Sequence, residues 1–232
     1  MYWFIYAGII AAAWLAWSLR AVTIAGALTG MLVTATLFYT TGNTGLLLLA
    51  VFFVSGTLVT RYRTDEKRRK GFADADKPAR TATQVLANSG AALLCAIGLL
   101  LFPQQHDAWL LGVAAAFSSA TADTWSSELG VVWGKNIYRP FSKSAAHTGD
   151  NGVISVEGTL AGVSGSALIA LVFHLLHFPA YGLLITAGLL GNLADTWLGE
   201  WQENKGQLDN DAVNFMSTLM AAVLAIVLYL FS

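Results

Sequence analysis

Two copies of one acidic motif are the residues of this chain best suited to chemistry. The motif reads Asp-Thr-Trp-x-x-Glu; it runs from Asp123 to Glu128 and is repeated from Asp195 to Glu200. Each copy lies at the end of an apolar stretch, and ionisable groups at membrane depth are costly and usually mark a functional site. The repetition suggests one functional centre that two related parts of the chain form together.

Oxygen chemistry is what these side chains offer. Carboxylates that face one another must be neutralised by protons or cations, and carboxylate and amide oxygens suit Mg²⁺, which also binds substrate phosphate. An Asp and a Glu five residues apart point about 140° apart on an ideal helix. Either the helix loosens near residues 126–127 and Gly199, or the two carboxylates of each motif serve different partners. The structural alternative is that these polar groups only join membrane helices to one another.

The elements that position the motif are transmembrane helices. Apolar residues make up 56% of the 232 residues and charged residues 12%, about half the share of a soluble domain. The single cysteine, Cys95, excludes an internal disulfide and a cysteine zinc site. We predict an all-α, polytopic helix bundle that forms one transmembrane domain over residues 1–232. About eight spans are predicted, at 2–18, 21–40, 44–60, 81–102, 108–130, 154–177, 180–199 and 212–231.

The basic residues predict the orientation of these spans. With this layout all 13 Lys and Arg residues fall on one side, which is therefore cytoplasmic, and both termini lie outside. That side carries a basic loop at 61–80 and a glycine-containing loop at 133–153. We expect an integral protein of a bacterial inner, cytoplasmic membrane, with its active face in the cytoplasm and with membrane lipids, not nucleic acid, as partners.

The acidic motifs belong to a larger internal repeat. Spans four and five form one helical hairpin that ends in the first motif, and spans six and seven form another that ends in the second. One full hairpin separates the two motifs, so both enter the same leaflet. This pattern predicts a parallel repeat related by an axis along the membrane normal. The two motifs can then face each other across one cavity.

Further polar residues are predicted at the same depth. Arg80, Gln84 and Asn88 form one stripe on span four, although amides such as these are also common interhelical hydrogen-bond formers. On the later spans Asn192 shares a face with Asp195, and Asp211 shares one with Asn214. Anchoring to the membrane by the positive-inside effect and attraction to anionic lipids explain most of the charged composition of loop 61–80.

The loop 133–153 offers a second, weaker signal. It carries Lys135 and Arg139 and leads into a helix start with Gly152 and Ser155, where free backbone N–H groups can face a phosphate. Glycine-rich entries into membrane helices are also packing devices.

The chain resembles the membrane family that contains transmembrane protein 19 and the plant phytyl-phosphate kinase of tocopherol synthesis. The residues that carry the resemblance are Arg80 with 84–90, the block 122–130, the run 152–162, the block 191–200 and the run 211–215. The similarity extends from about the first to the last predicted span. The resemblance implies a kinase that phosphorylates a prenyl (isoprenoid) monophosphate to the diphosphate with a nucleoside triphosphate, possibly CTP.

The resemblance also implies roles for single residues. Asp123, Glu128, Asp195 and Glu200 would hold one or two Mg²⁺ ions, and Arg80, with Lys135 or Arg139 as weaker candidates, would offset developing charge. The remaining candidates would orient metal-bound water or contact the substrate or nucleotide: Asn88, Asn192, Asn214, Gln84, Ser126, Gly152, Ser155 and Asp211.

Two other functions remain open at this stage. A related enzyme could transfer a nucleotidyl group from CTP to a lipid. An ion-coupled transporter could also be built from paired repeats and buried acids. The polar groups reach only the predicted inner leaflet, which weighs against a path through the membrane.

Overall fold

The chain folds almost entirely into helices. The computed structural model describes residues 3–71, 79–203 and 205–231; the first residue of the predicted span 2–18 and residues 72–78 of the predicted loop 61–80 lie outside these ranges. The helices of the described residues are α1 (Trp3–Ser18), α2 (Ile24–Thr41), α3 (Asn43–Arg61), α4 (Thr64–Arg69), α5 (Ala82–Leu101), α6 (His106–Trp133), α7 (Val156–Leu176), α8 (Tyr181–Leu198) and α9 (Asn210–Leu230). A short antiparallel pair joins β1 (Ile137–Tyr138) to β2 (Ile154–Ser155).

The all-α prediction is confirmed, whereas the number of spans stays a prediction. Among the described residues, five helices are long and apolar enough to cross a membrane: α2, α3, α5, α7 and α9. Helix α1 is apolar but has only 16 residues, and α6 and α8 carry the acidic motifs. The two predicted hairpins correspond to α5–α6 and α7–α8; their relation by a parallel repeat also stays a prediction.

Helix α6 is the centre of the bundle. It packs against α3, α5, α7, α8 and α9, and every residue from 110 to 122 is buried. Small residues allow this close packing: a Cβ on Gly188 would collide with Ser118, and one on Gly191 would collide with Ser119. A helix enclosed by protein on all sides needs no lipid-facing apolar surface, which explains the many Ala and Ser residues of α6.

The helices that begin beside the end of α6 have polar caps. Each cap accepts a hydrogen bond from a backbone N–H in the first turn of its helix. The hydroxyl of Thr23 caps α2, the hydroxyl of Ser155 caps α7, and the carboxylate of Asp209 caps α9. Thr81 and Gln84 form a reciprocal capping box on α5. Together with the ends of α3, α6 and α8, these starts form one polar end of the bundle, which we call the site end.

Candidate active site

Two adjoining cavities open at the site end. The first, of about 480 Å³, is called the basic cavity and is lined by Arg20, Ala21, Thr57, Thr60, Arg61, Thr64, Lys67, Ala79, Arg80, Gln84, Asn88, Asp123, Thr124, Ser127, Glu128, Asn210 and Asn214. The second, of about 410 Å³, is called the acidic cavity and is lined by Lys67, Asp123, Ser126, Ser127, Glu128, Gly130, Val131, Ile137, residues 148–155, Asn192, Asp195, Thr196, Gly199, Asn210 and Asn214. The residues common to both form a shared wall: Lys67, Asp123, Ser127, Glu128, Asn210 and Asn214.

The first acidic motif lies in this shared wall. Helix α6 continues without a break to Trp133, so it does not loosen between Asp123 and Glu128. The Nζ atom of Lys67 lies 2.7 Å from Oε2 of Glu128, and it also donates to the carbonyl oxygens of Val59 at 2.9 Å and Thr60 at 3.1 Å. Glu128 therefore has a protein cation as a partner, which favours separate roles for the two acids of this motif.

The second acidic motif has a different backbone. Helix α8 ends at Leu198 and passes into a π-helical turn, Gly199–Glu203. The helix therefore loosens between Asp195 and Glu200, which is the first of the two alternatives that follow from the five-residue spacing. Asp195 lines the acidic cavity, and its Oδ2 accepts a hydrogen bond of 3.2 Å from the hydroxyl of Ser217. Glu200 lies beside Gly152 and does not line either cavity.

Arg80 is held in place by both its backbone and its side chain. Its N–H donates to the carbonyl of Ala21 and its carbonyl accepts from the N–H of Thr23, both at 3.0 Å. The guanidinium lies over the rings of Phe52 and Phe53, 5.6 and 5.5 Å from their centroids, a favourable cation–π arrangement. Burial lowers the pKa of the Arg80 guanidinium and the charge of Glu128 opposes that shift; an arginine remains protonated at neutral pH.

The amide side chains are divided between the cavities. Gln84 and Asn88 line the basic cavity, Asn192 lines the acidic cavity, and Asn214 lines both. The Oε1 atom of Gln84 accepts from the N–H of Thr81 at 3.0 Å as part of the α5 cap. Gln84 therefore has a structural role in addition to its place in the cavity wall.

The loop between α6 and α7 brings only some of its predicted residues to the site. Gly152 and Ser155 line the acidic cavity, together with Ser126 of α6. Lys135 and Arg139 line neither cavity. The guanidinium of Arg139 instead donates to two backbone carbonyls and a carboxylate within its own loop, those of Ala145, Asn151 and Asp150, at 3.1, 2.8 and 3.0 Å.

The start of α9 contributes different residues from those that the sequence indicated. Asp211 lines neither cavity, whereas Asn210 lines both. Asn210 and Asn214 are four residues apart and so share a helix face. This spacing is a signal that could have identified Asn210. Lys67 carried no such signal, because it lies within a charged run whose composition is typical of membrane anchoring.

Gly152 is essential to the way the loop meets the second motif. Its φ is +79°, and a Cβ at this position would lie 3.0 Å from Cα of Glu200 and would collide with Cβ of the same residue. We expect Gly152→Ala to displace the loop between α6 and α7, to weaken ligand binding in the acidic cavity and to lower Tm. Gly206→Ala is the matched control, since Gly206 has a φ of +68° but open space around its Cα. Equal effects of the two substitutions on ligand binding would contradict a role for the Gly152–Glu200 contact.

The donor set of the acidic cavity suits a hard divalent cation. Asp123 and Asp195 supply carboxylate oxygens, and Asn192 and Asn214 supply amide oxygens. Within residues 3–71, 79–203 and 205–231, no three His, Cys, Asp or Glu side chains group closely enough to form a metal site alone. Mg²⁺ typically uses one or two carboxylates, waters and substrate phosphates, so two aspartates beside a phosphate fit it.

Comparisons with known proteins place the chain in a family. The model for the integral membrane protein family DUF92 matches residues 7–222. An uncharacterized membrane protein of Methanocaldococcus jannaschii is 35% identical over 83% of this chain and 79% of its own length. An uncharacterized membrane protein of Synechocystis is 33% identical over 78% of this chain and 72% of its own length.

A plant protein is also similar to this chain. The chloroplastic protein VTE6 of Arabidopsis thaliana is 31% identical over 82% of this chain and 60% of its own length. No solved structure matches the chain. The family resemblance drawn from the sequence motifs is thereby confirmed, and the chain belongs to the DUF92 family of integral membrane proteins.

Proposed function

We propose that this protein is a Mg²⁺-dependent kinase that converts a prenyl monophosphate to the diphosphate at the cytoplasmic face of the membrane, with a nucleoside triphosphate, possibly CTP, as the donor. The observation that carries the proposal is the shared wall, where Asp123 and Glu128 of one acidic motif separate two cavities of suitable size. The second motif contributes Asp195 to one of them. Two substrates could therefore meet across one set of carboxylates.

The proposed reaction is a phosphoryl transfer. An oxygen of the prenyl monophosphate attacks the terminal phosphorus of the nucleotide, and the bond from that phosphorus to the bridging oxygen breaks. The products are a prenyl diphosphate and a nucleoside diphosphate. The attacking phosphate is already ionised, so the site needs no strong base. Catalysis then depends on positioning and on stabilising charge.

Each part of the site has a role in this proposal. Asp123 and Asp195 would hold Mg²⁺, which would supply positive charge to offset that of the nucleotide phosphates. Glu128 keeps Lys67 in the shared wall, and Glu200 supports the loop at Gly152. Arg80 would stabilise charge on the acceptor phosphate.

The amide residues would orient the ligands. Asn88, which lines the basic cavity, would contact the acceptor; Asn192, which lines the acidic cavity, would contact metal-bound water; and Asn214, which lines both, would contact both ligands.

The family and the charge distribution support the substrate class and the location. The motifs resemble those of the family that contains the plant phytyl-phosphate kinase, which favours an isoprenoid phosphate. The site end carries loops rich in Lys and Arg, which supports a cytoplasmic location by the positive-inside rule. With the predicted eight spans, both termini would lie outside.

The test is turnover by the purified protein in detergent or nanodiscs. Prenyl monophosphates of several chain lengths are incubated with Mg²⁺ and each nucleoside triphosphate, and the products are identified by mass. We expect a prenyl diphosphate and a nucleoside diphosphate in equal amounts. A nucleotidyl-lipid with pyrophosphate would instead indicate the nucleotidyltransferase. Ion flux in proteoliposomes without any lipid-phosphate turnover would indicate the transporter.

A further inference from the structure

The two cavities differ in charge. Among the residues that the structure describes, four basic side chains, those of Arg20, Arg61, Lys67 and Arg80, line the basic cavity beside the two acids of the shared wall. In the acidic cavity the described lining includes one basic residue, Lys67, and Asp150 and Asp195 add to the same two acids. A phosphate monoester carries a charge close to −2 and is attracted to the first environment. A chain of phosphates would need a bound divalent cation to offset its repulsion from the carboxylates of the second.

The cavities also differ in the parts of the chain that form them. The basic cavity extends between helices, to Thr57 of α3, Asn88 of α5 and Thr124 of α6. The acidic cavity is lined by residues of α6, α8 and α9 and, in addition, by Ile137 and residues 148–155 of the loop between α6 and α7, which lies outside the long helices. A phosphate on a hydrocarbon chain must stay beside the bilayer, because each CH₂ buried in the membrane contributes about 0.8 kcal/mol. A nucleotide has no such constraint.

Arg80 is prepared for a phosphate before any ligand arrives. Its backbone pairs with the segment before α2, and its guanidinium lies against two phenylalanine rings. Gly56 makes room for this position, since a Cβ there would lie 3.2 Å from Nη2 of Arg80. A planar guanidinium in a fixed orientation can donate two parallel hydrogen bonds to a phosphate.

We infer that the basic cavity is the site of the prenyl monophosphate and that the acidic cavity is the site of the Mg²⁺-bound nucleotide. Lys67, Asp123 and Asn214 lie in the wall between them, where the phosphoryl group would cross. This inference rests on the proposed function and assigns its two substrates to separate places.

Direct binding measurements test the assignment without requiring turnover. Filter binding on nanodisc-embedded protein gives the Kd of radiolabelled geranylgeranyl monophosphate in EDTA and, separately, the Kd of CTP and of ATP with Mg²⁺. Two variants remove one charge from each cavity: Arg80→Met keeps an apolar stem against the phenylalanine rings, and Asp195→Asn keeps the shape of the side chain. Lys143→Met, at an exposed loop position outside both cavities, is the control for loss of a positive charge.

The expected result is a crossed pattern. Arg80→Met should raise the Kd of the prenyl monophosphate by about tenfold or more, the effect of losing a hydrogen bond to a charged group, and should leave nucleotide binding within about threefold of wild type. Asp195→Asn should raise the Kd of the Mg²⁺-bound nucleotide and should leave the Kd of the prenyl monophosphate unchanged. If Arg80→Met does not fold, Arg20→Met, at an exposed position of the same cavity, should show the same selectivity.

The other outcomes separate the two proposals. A reversed pattern, equal effects on both ligands or failure of wild type to bind either ligand overturns the assignment. The crossed pattern without diphosphate formation supports the assignment and contradicts the kinase. Diphosphate formation with a reversed or equal pattern supports the kinase and contradicts the assignment.

Discussion

Asp195→Asn should lower the rate of prenyl-diphosphate formation by at least about 100-fold, the usual cost of removing one charged or polar group that stabilises the transition state. The substitution removes the negative charge that would hold Mg²⁺ and keeps the shape of the side chain. The new amide oxygen can still accept the hydrogen bond that Ser217 donates to Oδ2. The initial rate at saturating Mg²⁺ and nucleotide is the measurement.

The control for this prediction lies at the other end of α6. Asp107→Asn makes the same chemical change at an exposed residue that pairs with His106, and we expect the rate to stay within about twofold of wild type because surface ion pairs contribute little. Thermal unfolding of both variants should match wild type to within about 4 °C, the shift that about 1 kcal/mol causes in a chain of this size. An Asp195→Asn protein that is folded and fully active would contradict the proposed metal site.

Lys67→Met should destabilise the fold strongly. Lys67 is 3% exposed, and its Nζ lies 2.7 Å from a carboxylate oxygen of Glu128. Breaking a buried ion pair from one side costs about 3–5 kcal/mol, because a charge loses its compensation in a poorly solvated place. At the lower end of this range we expect Tm in detergent to fall by about 6–12 °C.

A double variant separates stability from function. Lys67→Met with Glu128→Gln removes both charges, so most of the lost Tm should return, whereas prenyl-diphosphate formation should stay low because the shared wall has lost its cation. Lys143→Met is the matched control, since this lysine is exposed, and its Tm should equal that of wild type. A Tm for Lys67→Met equal to wild type would show that the ion pair does not stabilise the fold.

The long helices were predictable because each depends on a local pattern. The predicted spans 44–60 and 154–177 correspond to Asn43–Arg61 and Val156–Leu176, since apolar length and the turn residues between segments determine where such helices begin and end. The hairpin turns after α5 and α7 follow from Pro103 and Pro179 for the same reason.

The small elements were not predictable in this way. Helix α4 has six residues, Thr64–Arg69, all of them polar, and the paired strands have two residues each. Such short segments are marginal alone and depend on tertiary contacts. The contact that carries α4 into the site, Lys67 with Glu128, joins residues 61 positions apart.

The backbone of the two acidic motifs also depends on tertiary contacts and not on local sequence spacing. Both acidic motifs have the five-residue spacing, so the sequence presents one geometric problem twice. The backbone differs between the two copies. The second motif passes into a π-helical turn at Gly199–Glu203, whereas the first lies on the unbroken helix α6, where Glu128 pairs with Lys67. The difference follows from the surroundings, because α6 is packed against α3, α5, α7, α8 and α9, whereas α8 ends beside the loop at Gly152.

The sequence by itself determined the membrane class, the positions of the long helices and the presence of the acidic motifs at the ends of two of them, because composition and apolar length act locally along the chain. Only the tertiary structure decided which carboxylate meets Lys67, that Arg139 is used within its own loop, and that one shared wall divides two cavities of different charge. These features depend on residues far apart in sequence, whose approach is set by how the helices pack and not by any local pattern.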